Sequence, residues 1–308
     1  IRAAGDLDTL RHLAGEIRGF ARNLLEQGVQ ARQTTELISH LNDVLTERLV
    51  QMVAAQRGMD LQQACWLAFG SEGRGEQTVA TDQDNGLVFV SRDPATDRPQ
   101  WLALARVVNE ALDACGYPLC KGQVMASNPE CCLTPDEWQA RFAHWIEHGA
   151  PEDLLKASIY FDLRPLCGNA TLAQALQAMP AREAARVPRF LKQLADNTLR
   201  YRVPLNWRGA LETQTVHGRE RLDLKLHGTA IFVDAARVFA LAQGLPVLGT
   251  RARLEAVAPG MHVAARESEA WVSAFEYLQG LRLRAQLADV PAGTPAPGNP
   301  NLIDVGTL

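Results

Sequence analysis

Asp82 and Asp84 are the side chains of this chain best spaced for chemistry. In an extended segment, residues two apart share one face. Two carboxylates side by side repel, and the repulsion raises one pKa unless something compensates. A divalent cation with oxygen ligands is the usual compensation, and Mg²⁺ typically takes one or two protein carboxylates plus substrate phosphates. Just upstream, Gly70, Ser71, Gly73 and Gly75 crowd six positions that a regular element tolerates poorly. Such a turn offers a phosphate small residues, free backbone N–H groups, the Ser71 hydroxyl and the Arg74 guanidinium. Carboxylates for a cation beside a turn for phosphates point to chemistry on a phosphorylated substrate.

Two strands must hold these groups. Trp66 to Phe69 is apolar with no breaker, and Leu87 to Val90 is again apolar and partly β-branched, so residues 66–90 read as strand, glycine-rich turn, strand. We expect the second strand to begin near Asp82. A third acid stands in ASIYFDLRPLCG (157–168), where Ile159, Tyr160 and Phe161 read as a buried strand that Asp162 interrupts. A bare buried carboxylate is costly, so it needs a partner or a cation. Two readings stay open: an ion pair with Arg164 or Arg74, or a third metal-binding carboxylate.

The string GSEGRGEQTVATDQDN (70–85) resembles the signature of the DNA polymerase beta-like nucleotidyltransferase superfamily. Its longer form looks like a family of signalling nucleotidyltransferases often joined to cyclic-nucleotide-binding and CBS domains. That family is similar to protein-PII uridylyltransferase and glutamine synthetase adenylyltransferase. The resemblance implies an α+β fold, with a catalytic domain of a small mixed sheet and helices over 58–168. An N-terminal helical segment (1–57) would precede it, and an all-α substrate-binding domain with an irregular tail (169–308) would follow. It further implies Mg²⁺-dependent transfer of a nucleoside monophosphate from an NTP, through two metals held by Asp82, Asp84 and Asp162. FDLRP looks like the segment carrying the third carboxylate in the related adenylyltransferases. Gly70, Ser71 and Arg74 would take the phosphates. The segment RERLDLKLHG (219–228) resembles a Leu-Lys-x-Gly segment that would put Lys225 on the triphosphate, although only Gly228 stands where those relatives have a longer Gly-Gly stretch. A surface lysine is the plain alternative. The implied partners are an NTP, a protein acceptor modified on tyrosine, and an upstream CBS or cyclic-nucleotide-binding domain. Rival functions are a nucleotide-sensing module that turns over slowly or not at all, and small-molecule modification as in the antibiotic nucleotidyltransferases.

Composition narrows the field. At 308 residues the chain is long enough for two ordinary domains, and 47% apolar with 21% charged residues is globular rather than disordered. A net charge of −4 provides no global basic field, which argues against broad binding to nucleic acid or an anionic membrane and against template-directed polymerisation. No run of about 18 apolar residues exists, so no membrane span is expected. Cys65, Cys115, Cys120, Cys131, Cys132 and Cys167 form no Cys-x-x-Cys pair and read as reduced thiols of a cytoplasmic protein, with a redox role for Cys131-Cys132 the less favoured reading. The N-terminus lacks a signal peptide and starts with Ile, and we expect an internal fragment of a longer protein.

The remaining chain is mostly helical in pattern. Apolar residues recur at three- and four-residue steps from about Asp6 to Ala55, with a stop at Gly28. This pair reads as helices packed on the catalytic domain; the family resemblance adds the reading of a transducing linker. Ser91 to Gln100 reads as a loop before a helix capped by Asp97, and Pro118 to Ala126 as a short strand with Lys121 and Gly122 on it. Thr134, Pro135 and Glu137 form a capping box with Pro at the first helical position. His144 and His148, four apart, have metal-ligand spacing but no evident third ligand, so a solvated pair is the expectation. Pro188 opens a helix, Thr229 to Gln243 another, Thr250 the next, and Arg266 to Ala288 a long one with Arg282 off its apolar stripe. The Pro- and Gly-rich segment after Asp289 reads as irregular.

Overall fold

Apolar period along the chain dictates which segments fold as helices and which as strands, and the two kinds meet in three layers. A computed structural model describes residues 1–201, 203–216, 218–288 and 299–307. The chain runs α1 (Leu7–Glu26), α2 (Ala31–Gln56), β1 (Ala64–Ala68), α3 (Gly70–Gly73), β2 (Asn85–Phe89), α4 (Pro94–Ala114), β3 (Cys132–Leu133), α5 (Pro135–His148), α6 (Pro151–Tyr160) and β4 (Arg164–Gly168). It continues α7 (Thr171–Ala184), α8 (Pro188–Thr198), β5 (Gln214–Val216), β6 (Arg219–Asp223), a π-helical turn over Lys225–Thr229, α9 (Ala230–Ala242), α10 (Thr250–Val257), α11 (Ala265–Leu287) and β7 (Leu302–Asp304). The protein is α+β, as the resemblance implied.

The central sheet is mixed, in the order β3-β2-β1-β4. β1 pairs antiparallel with β2 and with β4, and β2 pairs parallel with β3. Both faces are covered. Cys65, Leu67, Phe69 and Val88 face α5 and α6, where Trp138, Phe142, Trp145 and Tyr160 pack. The alternate residues Trp66, Leu87 and Phe89 face α2 and α4, against Leu45, Leu49, Leu104 and Val108. A strand buried on both sides needs an unbroken apolar run, and ACWLA has one. Each fully buried side chain of this size contributes roughly 1.5–3 kcal/mol.

Local signals set most boundaries. Asp6 caps α1 by accepting from the Thr9 amide, and Gly28 turns the chain with a φ of 79°. Thr134 and Glu137 make the capping box on α5.

Several expectations are corrected. The segment before Asp162 is helical: α6 runs to Tyr160, and the strand starts after the acid, at Arg164. The run Ile159–Phe161 is apolar because the end of α6 is buried against β1 and α5, and burial alone does not distinguish the two conformations. β2 begins at Asn85, so Asp82 and Asp84 precede the strand. α4 starts at Pro94 behind Asp93 rather than at Asp97, because Pro is tolerated in a first turn. Residues 118–126 form no strand; their backbone–backbone bonds with the segment leading into β2 come from the Gln83 amide, to the Pro118 carbonyl, and the Asn85 amide, to the Val124 carbonyl. The C-terminal half is helical but also holds a three-stranded sheet, β5-β6-β7. The irregular tail falls largely on 289–298, outside the described residues.

Candidate active site

The glycine-rich turn is one helical turn, α3, followed by a tight reversal. The amides of Gly73, Arg74, Gly75 and Glu76 bond back to Phe69, Gly70, Glu72 and Ser71. The amides of Gly70, Ser71 and Glu72, at its start, have no place in this pattern and are the ones left for a phosphate. Two of the glycines are required by close approaches. A Cβ on Gly70, at φ 53°, would lie 2.8 Å from Asp84 Oδ2. A Cβ on Gly73 would lie 1.7 Å from the Asp162 carbonyl oxygen. Both acids therefore touch the turn, one through its side chain and the other through its backbone.

The extended segment before β2 sorts its polar groups by face. Asp82 is exposed and Asp84 is half-buried, while the alternate residues Gln83 and Asn85 are buried. The buried members are locked. Gln83 Nε2 donates to the carbonyls of Asn109 and Tyr117 at 2.9 and 2.8 Å. Asn109 Nδ2 donates to Gln83 and Asn85 at 2.7 and 3.0 Å, and Asn85 accepts from the Ala126 amide at 2.8 Å. The network reaches α2: Tyr117 donates to Asn42 at 2.7 Å, Asn42 to Gln77 at 3.2 Å, and the Gln77 amide to Ser39 at 2.9 Å. Neutral amides behind the strand thus aim Asp82 and Asp84 outward. Burial, and then Asp82, push the Asp84 carboxyl up to about 7. The Cys120 thiol, at 3.5 Å, and Lys225 oppose that rise. The mutual repulsion expected from the spacing is present.

Asp162 lies in a different setting. It is fully buried, and three guanidiniums surround it: Arg74 Nη1 at 2.5 Å, Arg237 Nη2 at 2.6 Å and Arg253 Nη1 at 2.7 Å. Burial pushes its carboxyl up, but Arg237, Arg253 and Arg74 overcome this and hold it well below the usual carboxylate range. Of the two readings left open for Asp162, the structure gives the ion pair with Arg74. Arg164 instead pairs with Asp43 at 2.8 Å and donates to the Glu72 carbonyl at 2.9 Å. Both oxygens of Asp162 are committed to arginines, which favours the ion-pair reading over the expectation that it joins Asp82 and Asp84 as a metal ligand. Among the described residues, no three His, Cys, Asp or Glu side chains gather as a metal site.

Arg74 links the two settings. Its Nε bonds Glu76 at 2.8 Å, and Glu76 accepts from the Thr250 hydroxyl at 2.9 Å at the start of α10. With Arg237 on α9 and Arg253 on α10, the C-terminal helices are bolted to the turn. These partners are the main omission of the sequence reading. Arg237 stands in the apolar run of α9, the same anomaly that drew attention to Asp162, and each explains the other.

A cleft of about 250 Å³ opens where these elements meet. Ser71, Arg74 and Asp82 line it from the catalytic half; Lys225, Thr229 and Arg282 line it from the C-terminal half. Leu155 and Ile159 of α6 and Val233 of α9 add an apolar wall, with Tyr201 and Asp234 beside it. The structure therefore gathers Ser71, Arg74, Asp82 and Lys225 around one space, with Gly70 and Asp84 directly behind. The arrangement can hold a cation on the aspartates and anionic groups on the cations opposite.

Elsewhere, all six cysteines are free and buried. Burial pushes Cys131 up to about 11 and Cys132 up to about 12, which disfavours the reactive thiolate. His144 and His148 stack at 4.2 Å, with His144 4.0 Å from Asp153. No helix of the described residues is long and apolar enough to cross a membrane.

Residues 15–152 match a family model described as "Putative nucleotidyltransferase DUF294", and residues 188–308 match one described as "Putative nucleotidyltransferase substrate binding domain". No curated protein matches the chain.

Proposed function

We infer, from the premise that the chain belongs to this nucleotidyltransferase family, that its cleft moves a nucleoside monophosphate from an NTP to a hydroxyl of a protein acceptor. One observation carries the reading: Asp82 borders the same cleft as the cations Arg74 and Lys225, with the carboxyl it repels, Asp84, directly behind it against Gly70. Asp82 and Asp84 fit a Mg²⁺ ion, because two adjacent carboxylates, with Asp84 raised by its neighbour, are stabilised by a hard cation that leaves its other positions to phosphates. The ion would supply charge neutralisation on the phosphate oxygens. A site of two metals shared with Asp162 is not part of this proposal.

The chain's own groups do the rest. The Ser71 hydroxyl and the first amides of α3 orient the phosphates. Arg74, held rigid between Asp162 and Glu76 and partly neutralised by them, stands at the cleft without needing to reorganise, so that its remaining charge and N–H groups favour phosphates there. Leu155, Ile159 and Val233 offer the nucleoside an apolar surface. The acceptor oxygen attacks the α-phosphorus, its proton passes to a base or to water, and pyrophosphate leaves. A protein acceptor is supported by the resemblance to the uridylyl- and adenylyltransferases. It is also supported by the exposed apolar side chains Leu199, Val203, Leu205, Trp207 and Leu211 on the C-terminal half. Signalling from an upstream CBS or cyclic-nucleotide-binding domain is proposed on the same resemblance.

The test is to incubate the protein with each α-labelled NTP, Mg²⁺ and a cell lysate. A labelled protein band, lost in Asp82→Asn, is the expected result. A second reading is favoured by the commitment of Asp162 to arginines: a nucleotide sensor with slow or no turnover. Tight NTP binding with no labelled product in any lysate would select it.

A further inference from the structure

Buried arginines in this protein divide into two kinds. Arg74, Arg237 and Arg253 face the Asp162 carboxylate. Arg282 on α11 does not. It is 9% exposed, and its hydrogen bonds go to neutral oxygens: Asn301 Oδ1 at 3.0 Å, Gln279 Oε1 at 2.9 Å and Thr229 Oγ1 at 3.2 Å. No carboxylate of the described residues lies within ion-pair distance of it. Burial lowers its pKa to about 10. Asp223 and Glu76 offset that fall only from beyond ion-pair distance, so the guanidinium is out of water with no carboxylate on it, a costly state that an arriving anion would relieve.

The anion's place is defined by the neighbours. Arg282 lines the same cleft as Asp82, Ser71 and Lys225. Its helix is tied to the loop before Asp82 by Gln286, which accepts from the Ala80 amide at 3.3 Å and donates to Asn301 at 3.0 Å. The Thr229 hydroxyl that bonds Arg282 ends the π-helical turn that begins at Lys225. Two cations of the C-terminal half therefore border the space that Asp82 borders from the other half.

We propose that Arg282, with Lys225 beside it, is the clamp for the outer phosphates of the nucleotide, and so for the leaving pyrophosphate. This rests on the nucleotidyl-transfer reading. As the acceptor oxygen bonds to the α-phosphorus, the bond to the α,β-bridging oxygen breaks. The electron pair of that bond stays on the bridging oxygen, and Arg282 neutralises the charge gathering there. The substrate class is thereby narrowed to nucleoside triphosphates; mono- and diphosphates leave the clamp empty or half-filled. The C-terminal half becomes part of the chemical site, not only an acceptor platform.

Calorimetric titration of the full chain with Mg²⁺ and tripolyphosphate, pyrophosphate or AMP tests this. Arg282→Gln should weaken tripolyphosphate and pyrophosphate about tenfold or more while AMP affinity is unchanged, and Arg282→Lys should recover part of the loss. A structural role would shift all three ligands together. Should Arg282→Gln fold poorly, hydrogen exchange on the unmodified protein replaces it: tripolyphosphate should protect residues 279–286. Equal tripolyphosphate affinity with and without Arg282, or no protection there, overturns the clamp and leaves nucleotidyl transfer standing. Absence of any NTP binding to the unmodified protein overturns both.

Discussion

Asp162 leads into β4 and the pair Asp82–Asp84 leads into β2, the two strands that flank β1, and the protein treats them in opposite ways. Asp162 is sealed from water with three guanidiniums on it. Among the described residues the Asp84 carboxyl receives a long contact from the Cys120 thiol and sits against Gly70, with Asp82 exposed in front of it. A charge the protein has already neutralised holds structure together, whereas a charge left bare waits for a ligand. Arg282 repeats the contrast with the opposite sign, against Arg237.

The largest effect that could break this comparison is on stability. Asp162→Ala strands three buried guanidiniums without their counter-charge, and removal of one partner of a buried pair typically costs about 3–5 kcal/mol. Urea denaturation should show a loss of that order. A loss below about 1 kcal/mol would mean that the arginine cluster is not the bolt between the halves.

Next come the aspartates of the cleft. Asp82→Asn and Asp84→Asn should each lower label transfer by about two orders of magnitude or more, the scale of a lost electrostatic contact to a transition state. Neither should lose stability, since each removes one member of a repelling pair. If either variant unfolds while Asp162→Ala does not, the two acid sites have been assigned the wrong way round.

pH sharpens the same contrast, because the shifts have opposite signs. Asp84 is raised to about 7, and Glu72, buried beside Asp43, to about 8. Between their unfolded values near 4 and these folded values, the folded state binds protons that the unfolded state has lost. Their contribution is present below pH 4 and fades as pH rises through 7–8, so metal-free stability should fall across that window. Asp162 acts on the acid side: its folded value is depressed, so its contribution is present above about pH 4 and is lost as pH falls. Mg²⁺ should flatten the upper slope, because it binds the deprotonated pair. Thermal melts from pH 2 to 9, with and without Mg²⁺, measure both limbs, and an unchanged upper slope with Mg²⁺ would count against the cation assignment.

How much of this was legible follows from the range over which each signal acts. β1, the turn and β2 could be read because breakers and apolar runs are local, and so could the capping box on α5. The spacing of Asp82 and Asp84 announced their shared face even though β2 starts after them. What failed depended on distance in sequence. Asp162 and Arg237 are 75 residues apart, and nothing local to either says which will meet. An acid in an apolar run establishes only that a partner exists, not whether it is an arginine or a metal. The apolar stripe of α11 placed Arg282 off the face that packs, but its burial comes from Asn301 in a separate segment. The hairpin β5–β6 joins a sheet through β7, from the far end of the chain, and a three-residue strand carries too little pattern to be read alone.

The smallest expected effect probes the inner, neutral face of the aspartate segment. Tyr117 donates to Asn42, which holds Gln77 from α2. Tyr117→Phe removes one donor and leaves the Asn42 carbonyl oxygen without it in a buried site, a loss of about 1–2 kcal/mol. Gln83 and Asn109 keep their own bonds, so the aspartates should remain aimed and transfer should fall no more than a few-fold, in kcat rather than in KM for the nucleotide. The amides of α2 then support the site without touching it. A fall in kcat as deep as that of Asp82→Asn, with stability kept, would instead make the N-terminal helices a direct control on the aspartates, and the line between neutralised frame and bare site would have to be drawn through α2.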